Sequence, residues 1–325
     1  MQGWQPVRIL VKDSNRIVAG VQVLTKSLPV AGRAGVIWRG PLRETDNPEL
    51  DRTLWRALVR LCQRAHIYYL ALGFPADDNS LIRSAETHGF RETLLGDIDT
   101  RAEVVVDLSL DLEEVFHRIS KNRRKLIHRG EVRGVHVREG NEKDISLFYQ
   151  LHARSAERLG FAPYSQAFFE KLWQVFASLQ QIKLFVAEYE GQPLSVQINI
   201  LFRDTVIAYK IGWAGEHSEL YPNDEIHWHA IRWAKLHGYR WFNFMGIETP
   251  VADALLHGRP IPDEYAHTYS SYKLSFGGQL VFYPPTYERI FLPGGNWLYW
   301  TLFPHLKEIS LVKRAIKSLR GASAM

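Results

Sequence analysis

Apolar and polar positions alternate first with the period of a strand. Val7 to Val11 lead into the turn residues Asp13-Ser14-Asn15, and a second run follows from Ile17 to Leu24. After Gly32 and Gly35 a third short strand, Val36-Ile37-Trp38, is broken by Arg39-Gly40-Pro41. The period then lengthens. Leu50, Leu54, Leu58 and Leu61 share one face of a helix over residues 48–66. Tyr68 to Phe74 predicts a short strand, and residues 78–88 a second helix with Gly89 as a left-handed cap. The same order returns downstream. Leu184 to Glu190, Leu194 to Phe202 and Val206 to Trp213 read as strands, residues 223–237 as a helix stopped by Gly238, and Trp241 to Met245 as a strand. Between the two series lie a strand, Val104 to Leu108, and helices over 111–130, 143–159 and 166–178. The last residues run through Phe291-Leu292-Pro293-Gly294-Gly295-Asn296-Trp297 into a basic helix near 303–320.

The two series also match locally. Val21-Gln22-Val23 aligns with Val196-Gln197-Ile198, and Leu54-Trp55-Arg56-Ala57 with His227-Trp228-His229-Ala230. A shared element order with local matches predicts an internal duplication. Hairpins among the strands with helices interleaved indicate an α+β chain of two mixed, largely antiparallel sheets covered by helices. A length of 325 residues suits two units of roughly 150 each. No low-complexity linker separates them.

Composition narrows the chemistry. A single cysteine, Cys62, excludes an intrachain disulfide framework and any zinc site built on cysteines. It lies in the apolar stripe with Leu54, Leu58 and Leu61, so a buried structural thiol is expected. The first residues lack a basic stretch followed by an apolar run, and no window reaches the roughly 18 uninterrupted apolar residues of a membrane span. A cytoplasmic protein is the expectation. The net charge of +5 is compatible with a polyanionic partner such as tRNA, a nucleotide pyrophosphate or an anionic membrane.

Several stretches, in order and spacing, resemble the Fem family of aminoacyl-tRNA-dependent peptidyltransferases. They are Trp38-Arg39-Gly40-Pro41, Val106-Asp107-Leu108-Ser109, Lys121-Asn122-Arg123-Arg124, Gly134-Val135-His136-Val137 and Glu157-Arg158-Leu159-Gly160-Phe161. Ala230-Ile231-Arg232-Trp233-Ala234 follows, then Tyr272-Lys273-Leu274-Ser275-Phe276-Gly277-Gly278, which is similar to the family's Phe-Lys-x-x-Phe-Gly-Gly signature. The resemblance implies two tandem GNAT-like units, over 1–103 and 104–287, with segment 288–325 packing back on the first. It implies transfer of an amino acid from aminoacyl-tRNA to an amine of a peptidoglycan precursor, lipid II or a nucleotide-linked stem peptide, without a cofactor. Lys273 takes the place of the signature lysine implicated in catalysis, next to Tyr272 as a substrate contact. The family's extra N-terminal helix and strand, with a phosphate-contacting Lys, have no counterpart here. The family's phosphate-contacting Arg aligns near Tyr164, a neighbouring Tyr with Phe168, and an acidic proton acceptor near Phe74. Altered acceptor contacts are therefore expected around Tyr164 and Phe74.

Other side chains are candidates on their own chemistry. Arg39 at a strand end, beside Gly-Pro, suits a phosphate or carboxylate, or equally a turn carbonyl. Glu248 follows a strand end, where α/β sheets present ligands, and is a candidate contact for the acceptor amine. Lys121, Arg124, Lys125 and Arg129 lie in the densest basic run. With Val115, Ile119 and Leu126 on another face, they form either a solvated cationic surface or a site for tRNA phosphates. His227, His229 and His237 lack His-Glu-x-x-His spacing, and residues two apart on a helix diverge, so no metal site is expected. There is no Gly-x-Ser-x-Gly elbow, no Walker loop and no dinucleotide fingerprint. An acyl-CoA N-acyltransferase is the competing enzyme; its pyrophosphate-cradling turn is matched neither at Gly40-Pro41-Leu42-Arg43-Glu44 nor at Ala214-Gly215-Glu216-His217-Ser218. A non-catalytic protein that binds an envelope precursor is the third reading. The aromatic segment from Phe291 to Phe303, followed by Lys307, Lys313, Arg314, Lys317 and Arg320, suits either packing on the first unit or peripheral contact with an anionic inner leaflet.

Overall fold

A computed structural model describes residues 3–28, 32–76, 78–292 and 294–306. In chain order, β1 (Gln5–Asp13), β2 (Arg16–Ser27), β3 (Arg33–Ile37), β4 (Leu42–Arg43), α1 (Pro48–Arg64), β5 (Ile67–Leu72), α2 (Asn79–Thr87) and β6 (Arg91–Glu92) come first. Next are β7 (Ala102–Asp107), α3 (Leu112–Arg118), α4 (Lys121–Val132), β8 (His136–Glu139), α5 (Ile145–Leu159) and α6 (Gln166–Ala177). Then follow β9 (Ile182–Tyr189), β10 (Gln192–Phe202), β11 (Thr205–Trp213), α7 (Pro222–Leu236), β12 (Trp241–Gly246), α8 (Thr249–Leu256), α9 (Tyr269–Leu274) and β13 (Gln279–Phe282). β14 (Tyr287–Ile290) and α10 (Gly295–Leu306) end the series.

The chain divides into two compact units, one built from residues up to Arg101 together with the segment from Phe282, the other from Ala102 to Val281. The first has the sheet order β1-β2-β3-β5-β14-β6, with β4 also paired to β2. Its core gathers Val21 and Val23 of β2, Leu54, Trp55, Leu58 and Cys62 of α1, and Leu70 and Leu72 of β5. Glu288, fully buried on β14, accepts hydrogen bonds from the hydroxyls of Tyr69 (2.8 Å), Thr93 (2.7 Å) and Tyr299 (2.7 Å) and from the Leu94 amide (2.8 Å). A buried carboxylate is tolerable only when its lone pairs are filled in this way. The bonds fasten the C-terminal segment to this unit.

The second unit has the order β13-β7-β12-β11-β10-β9-β8. The two sheets share one plan. In the first, β1, β2 and β3 are antiparallel neighbours and β3 pairs in parallel with β5 after the α1 crossover. In the second, β9, β10 and β11 repeat this, and β11 pairs in parallel with β12 after α7. The matched triplets occupy β2 and β10, and the matched helix residues α1 and α7, so the duplicated elements are topological equivalents. This is the tandem mixed α+β architecture that the sequence predicts.

Two expectations need correction. The helix over 111–130 is two helices. Ile119 is extended, and the Ser120 hydroxyl accepts from the Arg123 amide (3.3 Å), capping a new start. The break resets the helical phase, so α4 buries Ile127 and Gly130, whereas Leu126 is only partly covered. Near the C-terminus, a helix begins at Gly295, earlier than predicted, and the basic residues from Lys307 to Arg320 lie outside the described residues.

Candidate functional site

In the second unit the parallel ladder between β11 and β12 is short. Thr205 to Ile207 face Trp241 to Asn243, yet β11 continues to Trp213 and β12 to Gly246. Beyond Ile207 the two strands no longer pair, which leaves a gap at the C-terminal ends of parallel strands, where α/β sheets commonly receive ligands. The end of β12 is shaped locally. Met245 has φ 64°, its amide donates to Asn243 Oδ1 (2.6 Å), and Asn243 Nδ2 donates to Glu103 Oε2 (2.8 Å). A left-handed non-glycine residue is costly and persists only where surrounding contacts fix it.

Lys273, on α9, reaches this strand end and donates from Nζ to the Gly246 carbonyl (2.6 Å). Burial pushes its pKa down to about 8, against the carboxylates of Glu103 and Glu248, which hold it up; Lys210 adds a further lowering push. Glu248 is itself tied down, accepting from Thr268 Oγ1 (3.1 Å) and from the Ser270 hydroxyl, while its amide donates to Ser270 Oγ (2.8 Å). These bonds join the start of α8 to the start of α9.

Behind Lys273 runs an inner network. Arg123 donates to Asp224 Oδ1 (2.5 Å) and to Ser275 Oγ (2.9 Å), and its guanidinium lies 4.2 Å over the Tyr272 ring. The Tyr272 hydroxyl is 3.1 Å from His227 Nδ1, which also donates to the Asn223 carbonyl (2.7 Å). Burial lowers the His227 pKa to about 4, so the ring is neutral. Burial also pushes the Tyr272 phenol well above its ordinary value. Neither group titrates near neutral pH, and both serve to hold α9 against α4 and α7.

The first turn of α7 is acidic. Asp224 and Glu225 are both buried; Asp224 pairs with Arg123, and Glu225 Oε1 accepts from the Glu131 amide (3.1 Å). A Cβ on Gly130 would come within 2.7 Å of Glu225 Cγ, so glycine lets α4 approach this turn. Burial raises the Glu225 pKa to about 8. The folded state therefore holds this proton more tightly than the unfolded chain does. Stability from this group is complete below about pH 4.5 and falls as the pH rises to about 8. Glu225→Gln keeps the acceptor oxygen without the charge, so its melting temperature should stay nearly level across that window while the parent's falls. Parallel pH slopes in thermal melts would refute this assignment.

The structure gathers Lys273, Tyr272 and Glu248 around α9. Tyr164 stacks on Phe168 at 4.3 Å between ring centroids, beside β11. Lys121, Lys125 and Arg129 share an exposed face of α4, and Arg124 contacts His117 Nδ1 (2.8 Å). Arg39 and Phe74 belong to the first unit. Arg39 pairs with Asp99 (2.7 Å) and lies 3.4 Å over the Tyr283 ring. Phe74 is not a surface contact: it is 1 % exposed and edge-on to Tyr287 in the hydrophobic core, so its assignment to substrate binding is corrected. An aromatic replacing an acid had marked a core position. His227 and His229 point to different aromatic neighbours, Phe244 and Phe185. Glu103, Asn243 and Lys210 belong to none of the sequence motifs. Glu103 and Lys210 each stand as a charge inside a largely apolar strand, but no motif gives either a role.

Comparison with known proteins agrees with this architecture. Residues 114–253, from α3 into α8, match the model of the acetyltransferase (GNAT) domain. The lipid II:glycine glycyltransferase of Staphylococcus saprophyticus is 22% identical over 204 residues, covering 60% of this chain and 49% of that protein. The chain thus spans about half the length of the curated relatives it matches. The crystal structure of FemX superposes with a TM-score of 0.78 at 14% identity, covering 92% of this chain and 90% of that one. The C-terminal domain of a lysylphosphatidylglycerol synthetase from Agrobacterium fabrum gives 0.57 at 12% identity, covering 94% and 89%. Fold and matched domain define an acyltransferase-type protein with tandem GNAT-like units. Within that class, the chain is similar in sequence and in fold to the Fem family.

Proposed function

We propose that the protein transfers an amino acid from aminoacyl-tRNA to a primary amine of a peptidoglycan precursor, lipid II or a nucleotide-linked stem peptide. The amine nitrogen attacks the ester carbonyl, a tetrahedral oxyanion forms, and its collapse makes the amide and releases the ribose oxygen, which takes up the amine's proton. Ester aminolysis is already downhill, so the protein's work is orientation and charge stabilisation. Lys273 supplies the charge: its ammonium, held at the Gly246 carbonyl beside the β11/β12 gap, suits a developing oxyanion. Lys121, Arg124, Lys125 and Arg129 would take tRNA phosphates, in a strongly salt-dependent way. The similarity to a lipid II glycyltransferase supports the acceptor class.

The observation that carries the choice of donor is the filled first turn of α7. An acyl-CoA pyrophosphate needs the free amides and positive dipole end of a helix N-terminus. Here Pro222 has no N–H, the Asp224 and Glu225 amides already donate to the Tyr221 carbonyl (3.0 and 3.2 Å), and both of these side chains are buried. The test offers purified protein aminoacyl-tRNA or acetyl-CoA, each with lipid II and with nucleotide-linked stem peptide, and scores product mass. The expected product gains one aminoacyl residue from tRNA. Turnover with acetyl-CoA alone would install the CoA reading, and precursor binding without any product would leave a binding protein. Among the described residues no helix is long and apolar enough to cross a membrane; a cytoplasmic enzyme reaching its acceptor at the inner leaflet fits this reading.

A further inference from the structure

Lys210 sits inside β11, where its partly buried ammonium has no counter-charge among the described residues; Lys273, by contrast, has Glu103 and Glu248 near it. No hydrogen bond or ion pair involves its ammonium among the described residues, and its pKa is lowered by burial with no carboxylate opposing the shift. Its Nζ has only aromatic faces near it, 5.4 Å from the Tyr164 ring centroid and 5.6 Å from that of Tyr209. These distances are at the outer reach of a useful cation–π contact. The sequence alone would not aim a lysine here. β11 pairs Lys210 with Ile198 and Ala208 with Asn199, so Tyr209 is an extra, bulged residue. A bulge of this kind re-aims a side chain. Ile198 and Tyr209 both pack in the cluster with Phe148, Phe169, Tyr164 and Phe168. Lys210, opposite Ile198, is turned to that same side, beside Tyr164. It lies close enough to Lys273 to depress that group's proton affinity.

A half-buried ammonium with no partner is a standing cost to the fold unless a ligand supplies the missing anion. One positive charge lined by aromatic faces fits a single negative charge on an otherwise apolar or amide-bearing group. It does not fit a diphosphate, which calls for several cations or a free helix N-terminus. We propose that Lys210, with Tyr164 and Tyr209, forms a carboxylate-binding subsite of the acceptor site, orienting a peptide whose amine is presented toward Lys273. This deepens the function proposed above and rests on its peptide acceptor.

The direct test is calorimetry on the full chain with a lysine-containing stem pentapeptide as the free acid and with all its carboxyls converted to carboxamides. Amidation should weaken binding to the parent about tenfold or more, and should change nothing for Lys210→Met or Lys210→Gln. An equal amidation penalty in parent and variants would overturn the subsite. A second measurement does not depend on the acceptor. Thermal unfolding of parent and Lys210→Met is followed with propionate or with pyrophosphate. Propionate should raise the melting temperature of the parent and not of the variant, and the ligand-free variant should melt no lower than the parent. No response to propionate, the same response in both proteins, or a response to pyrophosphate alone would refute the carboxylate subsite. If the parent binds neither peptide while propionate still acts through Lys210, the peptide acceptor fails and the subsite stands.

Discussion

Replacing Lys273 with Met should lower kcat on the order of 10²-fold or more and leave KM nearly unchanged. A group that stabilises charge present only in the transition state contributes nothing to ground-state binding. The pH profile gives the sign of the charge at work. With a folded-state pKa of about 8, Lys273 is an ammonium at neutral pH, so kcat should fall as the pH rises through about 8. Stability should move the other way. Burial opposes the charge, so the charged form costs stability at every pH below about 8, and that cost fades between about 8 and the ordinary 10.5. The Met variant, which never carries the charge, should melt at or above the parent's temperature at neutral pH. Near-normal kcat in the folded variant would reduce Lys273 to a structural tie on the end of β12.

Gly277→Ala should be the most damaging small substitution near the site, costing on the order of 3–5 kcal/mol in denaturant unfolding. Gly277 has φ 74°, and an added Cβ would lie 2.2 Å from the Arg118 carbonyl oxygen and 2.5 Å from its carbon. Both are backbone atoms, so no side chain can swing aside. Gly258 provides the control. It too has positive φ (64°), but a Cβ there meets nothing within 4 Å, so Gly258→Ala should cost only about 1 kcal/mol from backbone strain. Equal losses in the two variants would mean that backbone conformation alone, and not the close approach to Arg118, explains the glycine.

The regular elements were legible because their periodicity reports burial. The apolar stripe of α1 and the alternation of β2 each encode which face meets the core, and Gly89 and Gly238 adopt the positive φ expected of helix ends. The six-residue α9 was not legible, since its position is held by Glu248 and Arg123 from elsewhere in the chain. The site shows the same division. Lys273 and Tyr272 could be picked out by their motif. Glu103, Asn243 and Lys210 could not, because what gives them meaning is a kinked strand end and a bulge, both properties of pairing between strands. Phe74 shows the opposite error: alignment to an acidic position suggested chemistry, and the residue's own apolarity, which points to burial, was the better guide.

The position of β14 bears on how the protein is made. This strand pairs with β5 on one side and β6 on the other, so the first sheet is completed by residues synthesised after the whole of the second unit. The second unit is one uninterrupted stretch of chain and has all its strands once residue 282 has left the ribosome. The first unit must wait, with β5 lacking a neighbour and Tyr69 lacking the Glu288 carboxylate it is built to meet. Synthesis order and folding order are thus reversed: the half translated first reaches its native state last, and until then its open sheet edge is the part of the nascent chain most exposed to mispairing and to chaperones.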